Sequence, residues 1–121
     1  RDLAAPVLTA VPEERRVDLV DRVPLMTLAA VFARCRLVVA NDSGLMHLSA
    51  ASRAPTLGLF GPSDDRHYAP AGPKTAWVRT RESAADLLAR SDAVAGRPGA
   101  LMDGLAVEAV ETAARDLLAR D

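Results

Sequence analysis

The chain contains little cysteine, little net charge and no long apolar run. A single cysteine, Cys35, excludes an internal disulfide and any multi-cysteine metal site, and is typical of a reducing compartment. No apolar stretch approaches the roughly 18 to 20 residues of a membrane span, and the first residues do not resemble a signal peptide. The sequence therefore favours a cytoplasmic protein.

The charges nearly cancel. Fifteen Lys and Arg residues stand against sixteen Asp and Glu residues, which gives a formal charge of −1. No overall basic field attracts nucleic acid or anionic lipid, so we expect no nucleic-acid partner. Any affinity for phosphate has to come from a local arrangement of residues.

The length and the apolar content suit one domain. The 121 residues are 50% apolar, enough for a single sheet-and-helix core over residues 1–121. The chain begins with Arg1 rather than methionine, in what reads as the middle of a helix. We therefore expect it to be a fragment of a longer protein.

The hydrophobic pattern predicts an α/β fold with a Rossmann-like parallel sheet and helices on both faces. Residues 37–40 show no polar alternation, which predicts a central strand buried on both faces. A polar loop is predicted over residues 63–75 and a flexible linker over residues 91–99. The predicted helices are residues 3–11, 25–34, 44–53, 82–90 and 107–120, and the predicted strands are residues 16–20, 37–40, 56–60 and 77–80.

The last predicted helix is amphipathic. Its apolar face carries Val107, Val110, Ala114 and Leu117, and ion pairs are predicted for Glu111 with Arg115 and for Asp116 with Arg120. This helix packs either on its own sheet or near an interface with another domain, and the sequence leaves both alternatives open.

A polar turn follows the strand over residues 37–40. It reads Asn41, Asp42, Ser43 and Gly44, and a helix is predicted to begin there. Such a helix points its unpaired N–H groups at the crevice where open α/β sheets bind ligands, so an anion is the natural occupant. Gly44 lets the backbone approach a diphosphate closely, and the Ser43 hydroxyl can donate to it. The alternative for Ser43 is an ordinary helix cap.

These residues resemble a known family. The signature of the lipopolysaccharide heptosyltransferases, glycosyltransferase family 9, is similar to Asn41-Asp42-Ser43-Gly44-Leu45-Met46-His47-Leu48-Ser49-Ala50-Ala51, followed by Pro55 and Leu59-Phe60-Gly61-Pro62. The resemblance covers residues 17–73 well and extends loosely through residues 102–105 to the end of the chain. Family members often carry Pro at Leu45 and Thr at Ser63, so the identity of the donor stays open.

The resemblance implies the C-terminal half of a two-domain GT-B enzyme, the half that binds the nucleotide-sugar donor. The implied reaction is inverting transfer of a heptose or related sugar from a nucleoside diphosphate, as in an ADP-heptose-like donor, to a lipopolysaccharide core acceptor. The catalytic base would lie in an N-terminal domain missing here, so no catalytic residue is assigned in this chain. The implied location is cytoplasmic, with peripheral attachment to the inner membrane as a variant.

Asp42 and His47 flank the predicted phosphate turn. A carboxylate is repelled by a diphosphate, so Asp42 is expected to accept hydrogen bonds from sugar hydroxyls, with helix capping as the alternative. His47 lies three residues after Gly44 and can face the same side as the turn. It would donate to a phosphate or a sugar hydroxyl, with a core role as the alternative. Helix N–H groups can meet the diphosphate charge, so the predicted site needs neither a metal nor a cofactor.

Two loops complete the predicted site. Gly61 and Ser63 follow the strand over residues 56–60 and are predicted donor contacts. The apolar residues of the loop over residues 21–26, which are Val23, Leu25 and Met26, form a candidate base pocket. For Leu25 and Met26, packing in the core is the alternative.

The charged residues that follow Ser63 can be interpreted in two ways, as solvated side chains or as ligand contacts. The sequence favours a solvated cluster of Asp64, Asp65, Arg66 and His67, among which Arg66 suits phosphate best.

Two rival functions remain, because a fold alone does not determine an activity. One is another GT-B sugar-nucleotide enzyme, and the other is a noncatalytic nucleotide-binding module.

Overall fold

The computed structural model describes residues 2–90 and 100–120, and the predicted linker over residues 91–99 lies outside them. Its centre is a sheet of three parallel strands in the order β1 (Val38–Asn41), β2 (Thr56–Phe60) and β3 (Thr75–Arg79). Because the strands are parallel, all three end at one edge of the sheet. The predicted α/β class with a parallel sheet is confirmed.

Six α-helices lie in the described part of the chain. Five follow predicted helices within a few residues, and the sixth, α4, lies in the predicted loop over residues 63–75. Asp64 stabilises α4, since its carboxylate accepts a hydrogen bond from the Arg66 amide at 3.0 Å. The helices are α1 (Ala5–Ala10), α2 (Leu25–Phe32), α3 (Gly44–Ala51), α4 (Asp65–Tyr68), α5 (Ala84–Ala89) and α6 (Val107–Ala119).

The core lies on the two faces of β2. On the face of Gly58, α3 approaches so closely that a Cβ at Gly58 would lie 2.7 Å from the Met46 sulfur. Successive side chains of a strand point to opposite faces, and Leu57 on the other face is completely buried as well. There α6 contacts β2 and β3, and its Leu117 is buried. Helices therefore cover both faces.

The predicted strand over residues 16–20 is wrong. The segment follows a single 3-10 turn, Glu13–Arg15, and pairs with no strand in the described part of the chain. Its side chains hold it in other ways: the Arg16 guanidinium donates to the Leu8 carbonyl at 2.7 Å, and the Asp18 carboxylate accepts from the Val20 amide at 3.0 Å. An aspartate that bonds the amide two residues ahead bends the chain into a turn.

The predicted central position of the strand over residues 37–40 is also wrong. In the described sheet β1 forms an edge and β2 lies between the other two strands. Burial alternates along β1, and Val39 is 47% exposed. An apolar run shows that a strand can be buried on both faces, but the neighbours that bury it are not encoded in the run itself.

The helix α6 is shorter by one residue than predicted and partly differs in its apolar face. Val107 is exposed, whereas Leu117 is buried against the sheet. The ion pair between Glu111 and Arg115 is present at 2.7 Å. Among residues 100–120 no ion pair joins Asp116 to Arg120. In the part of the chain that the structure describes, no helix has both the length and the apolarity to cross a membrane.

Candidate functional site

The polar turn after β1 lies at the carboxyl edge of the sheet. The Asp42 amide donates to the Leu59 carbonyl at 3.2 Å, which keeps this residue beside β2. Ser43 is extended and precedes α3, and its carbonyl accepts from the amides of Met46 and His47. The turn therefore adopts the predicted strand-to-helix geometry.

The first turn of α3 is open. A Cβ built on Gly44 meets no atom within 4 Å, so a ligand can approach its backbone. The Ser43 hydroxyl makes no capping bond to α3. Within residues 2–90, the amides of Gly44 and Leu45 donate to no backbone carbonyl. These amides are the unpaired donors that favour an anion at a helix N-terminus.

Asp42 and His47 are neighbours across the turn. The Asp42 Oδ1 atom lies 4.0 Å from His47 Nε2, and the two side chains are 19% and 48% exposed. As predicted, His47 is on the side of the turn. The Asp42 carboxylate accepts no hydrogen bond from this turn among the described residues, and Asp42 lines two adjoining grooves.

A groove of about 550 Å³ connects the turn with α2. Its lining includes Leu25 together with Ser43, Gly44 and His47. Of the three residues predicted to form a base pocket, the structure thus brings Leu25 to the turn. Val23 and Met26 do not line this groove, and Met26 is largely exposed.

Ser63 shares its grooves with Asp42. The two residues line a groove of about 730 Å³ and a smaller one of about 210 Å³. Ser63 is half-buried, and its loop follows β2 at the same edge of the sheet. Asp42 thus lies 4.0 Å from His47 and shares two grooves with Ser63.

Gly61 has a packing role that the sequence did not suggest. A Cβ at this position would lie 2.5 Å from the Met102 sulfur and 3.0 Å from the Leu101 carbonyl oxygen. Residues 101 and 102 therefore fill the space beside its Cα. The glycine is needed for this close approach, whether or not its backbone also contacts a ligand.

Asp64 forms a compact cluster with Arg66 and His67. Its carboxylate accepts hydrogen bonds from the Arg66 guanidinium at 3.1 and 3.2 Å and lies 2.9 Å from His67 Nδ1. The hydrogen bond from Arg66, and then that from His67, holds the pKa of Asp64 well below its usual range. The cluster is exposed, as predicted, but the Arg66 guanidinium already donates its hydrogen bonds to Asp64.

Asp65 is not the solvated carboxylate that the sequence suggests. It is 20% exposed, and it accepts hydrogen bonds from Arg79 and, at 3.1 Å, from the Trp77 indole. Burial alone raises the pKa of Asp65, but these hydrogen bonds outweigh burial and hold the pKa below its usual value. Sequence reasoning missed Arg79, although a charged residue within the short predicted strand over residues 77–80 was a usable signal.

Residues 2–90 and 100–120 contain no group of three or more His, Cys, Asp or Glu side chains arranged to hold a metal ion. The donors in the site are backbone amides, hydroxyls and an imidazole, and these suit an anionic or a hydroxyl-rich ligand.

Comparison with known proteins gives a consistent result. The sequence model of glycosyltransferase family 9 (heptosyltransferase) matches residues 4–95. Lipooligosaccharide heptosyltransferase 2 of Haemophilus influenzae is 34% identical over 97 residues, which are 78% of this chain and 28% of that protein. Lipopolysaccharide heptosyltransferase 1 of Pseudomonas aeruginosa is 51% identical over 43 residues, 36% of this chain and 12% of that protein.

The fold also matches a solved structure. The structure of E. coli heptosyltransferase WaaC with ADP aligns with a TM-score of 0.58 and 25% identity, and covers 78% of this chain and 24% of that one. The chain thus spans about a quarter of the length of the H. influenzae protein and of the E. coli structure.

Proposed function

Because the chain belongs to glycosyltransferase family 9, we propose that it forms the donor-binding, C-terminal domain of a GT-B heptosyltransferase. The enzyme would transfer a heptose or related sugar, with inversion, from a nucleoside diphosphate to a lipopolysaccharide core acceptor. The observation that carries the proposal is the open start of α3, where unpaired amides lie beside Asp42 and His47.

The donor diphosphate is assigned to the first turn of α3. The backbone at Gly44 is accessible, and the Ser43 hydroxyl makes no bond to the helix. A helix N-terminus carries about half a positive charge, which stabilises the charge that builds up on a departing diphosphate. His47, one turn further along α3, supplies a further donor.

The sugar of the donor is assigned to Asp42 and Ser63. A carboxylate and a hydroxyl that line the same groove suit a hydroxyl-rich ring, whereas a carboxylate beside a diphosphate would be repelled. Gly61 supports this wall of the site. The nucleoside base is assigned to the groove that Leu25 lines with the α3 turn.

The acceptor and the catalytic base are assigned to a second domain. Titratable side chains of the proposed site are already assigned to the donor, and a GT-B active site is a cleft between two domains. The proposed donor domain would work in the cytoplasm, with the acceptor presented at the inner membrane.

Calorimetric titration with ADP and UDP tests the proposal. We expect the chain to bind ADP, and the affinity to be equal in Mg²⁺ and in EDTA because backbone amides neutralise the diphosphate. Loss of all binding in EDTA would contradict the metal-free site. Preference for UDP would favour a different GT-B sugar-nucleotide enzyme, and absence of binding to either nucleotide would exclude the proposed role.

The variant Gly44→Val tests whether the diphosphate binds at the first turn of α3. The added side chain meets open space in the free protein, so the fold should be unchanged, but it would occupy the place of the ligand. We expect binding of ADP to weaken at least tenfold, or by about 1.4 kcal/mol. Ala109→Val places the same side chain at an exposed position of α6 and serves as the control. Equal affinities for the two variants would remove the diphosphate from this turn.

A further inference from the structure

Arg79 joins three segments of the chain at the carboxyl edge of the sheet. It is the last residue of β3, and its guanidinium donates to the Asp65 carboxylate of α4. The same group donates at 3.0 Å to the Gly61 carbonyl and at 3.0 Å to the Glu82 carbonyl. One side chain thus connects the loop after β2, the start of α4 and the loop after β3.

Asp65 is held from two directions. Besides Arg79, the Trp77 indole donates to its other carboxylate oxygen at 3.1 Å. The Asp65 and Arg79 side chains are 20% and 26% exposed, so water screens their interaction less than it screens a surface pair. Both donors come from β3, and the start of α4 is therefore tied to that strand.

The connected loop reaches the donor site. Gly61 is held by Arg79 through its carbonyl and is packed against Met102 at its Cα. Two residues later, Ser63 lines the same grooves as Asp42. The position of Ser63 relative to Asp42 thus depends on where the Gly61 carbonyl is held.

We infer that Arg79, together with Asp65, is a positioning residue that holds Ser63 opposite Asp42 in the donor site. The inference rests on the proposed function, since it assigns Arg79 no contact with the donor and an effect only through the loop over residues 61–63. It adds a determinant of donor affinity that lies on β3, outside the turn and helix that resemble the family signature.

The guanidinium is the group that this geometry requires. Its five N–H donors form a rigid planar fork, which can meet a carboxylate and two carbonyls at once. A lysine ammonium would keep the charge beside Asp65 but is a point charge on a flexible stem. Arg79→Lys therefore separates the charge from the hydrogen-bond geometry.

The test uses the full chain with Arg79→Ala and Arg79→Lys. We expect both variants to bind an ADP-sugar about tenfold more weakly, the effect of losing hydrogen bonds to a charged group. Low concentrations of guanidinium chloride should restore binding by Arg79→Ala, because the free ion can occupy the emptied position, while sodium chloride should not. Such rescue is not expected if the substitution merely lowers stability.

Arg115→Ala is the matched control, since it removes an arginine from an exposed ion pair on α6. It should bind the donor like the wild type and show no rescue. Trp77→Phe removes the indole donor while keeping an aromatic ring, and should produce a smaller loss than Arg79→Ala. If the wild type binds the ADP-sugar and Arg79→Ala binds it with the same affinity, the inference about Arg79 is wrong, while the proposed function is unaffected.

A ligand-free measurement separates the two proposals. The amide resonances of Gly61 and Ser63 should move in Arg79→Ala and return with guanidinium, whereas those of α6 should not move. If the wild type binds no nucleotide, the proposed function fails and the assigned effect on donor affinity fails with it. If the resonances of Gly61 and Ser63 stay in place, Arg79 does not position the loop and the inference is wrong.

Discussion

The hydroxyls of Ser49 and Thr56 lie 2.7 Å apart in the core, and both residues are completely buried. The Thr56 hydroxyl donates its single hydrogen to the Ala54 carbonyl at 2.9 Å, so Ser49 must be the donor in the pair. This bond joins α3 to the first residue of β2. The helix that begins at the candidate site is thus attached to the sheet at its far end by a polar contact.

We expect Thr56→Val to destabilise the chain more than Ser49→Ala. The valine leaves the Ser49 hydroxyl and the Ala54 carbonyl without this partner, and an unsatisfied buried group costs about 1–3 kcal/mol. Ser49→Ala leaves Thr56 its bond to Ala54 and removes one donor. Urea denaturation of the two variants and of the double variant measures these effects. The double variant should lose less stability than the sum of the losses in the two single variants. Additive losses would contradict the coupling between the two hydroxyls.

Asp42→Asn should distinguish recognition of the sugar from recognition of the phosphates. The amide keeps the size of the carboxylate but loses its charge and one acceptor, so hydrogen bonds to sugar hydroxyls weaken. We expect affinity for an ADP-sugar to fall about tenfold, while affinity for ADP stays the same or rises as repulsion of the diphosphate is relieved. Competition titrations with both ligands measure the difference.

The alternative role for Asp42 predicts a different result. If its charge mainly stabilises α3, the variant should lose affinity for both ligands equally and melt at a lower temperature. Asp103→Asn makes the same change at an exposed position outside the grooves and controls for the loss of one charge.

Arg53 lies in a strained backbone conformation. It follows the C-cap Ser52 with a φ of 65°, and the amides of Arg53 and Ala54 donate to the carbonyls of Ala50 and Ser49. This is the helix ending in which glycine is preferred, because a side chain in the left-handed region costs about 1–2 kcal/mol. Arg53→Gly should therefore stabilise the chain by about 0.5–1 kcal/mol after the greater freedom of glycine in the unfolded chain is counted.

Arg53→Ala separates the backbone from the side chain. It removes the guanidinium but keeps a Cβ, so the strain stays and stability should differ little from that of the wild type. Thermal denaturation of the three proteins is the measurement. If the alanine variant gains as much as the glycine variant, the gain comes from losing the cation rather than from relief of the backbone.

The ion pair of Asp65 and Arg79 should make stability depend on acid pH. The pKa of Asp65 is lowered in the folded chain, so its contribution is complete above the ordinary carboxyl pKa of about 4 and is lost as the pH falls through the lower folded value. Asp65→Asn should reduce the melting temperature at neutral pH and flatten its decline between about pH 5 and pH 2. Parallel declines in the variant and the wild type would contradict this contribution.

The local parts of the fold were predictable, and the relations between segments were not. The bounds of β2 and the start of α3 followed from an apolar run, a polar turn and Pro55, all of which act within a few residues. The strand predicted over residues 16–20 failed because pairing depends on a neighbour that local pattern does not reveal. The same limit applies to the site: the turn from Asp42 to His47 was readable, but Arg79 joins segments up to 18 residues away.

The chain by itself is not expected to transfer sugar. Its proposed site presents donors for a diphosphate and acceptors for a sugar, and deprotonation of the acceptor hydroxyl is assigned to a second domain. Turnover of a radiolabelled ADP-sugar should therefore be absent with the chain alone and appear when an N-terminal family 9 domain is added in trans. Glycosylation of the acceptor by the chain alone would contradict this division. Asp42, which lies 4.0 Å from His47 at the start of α3, would then be the first residue to examine as a base.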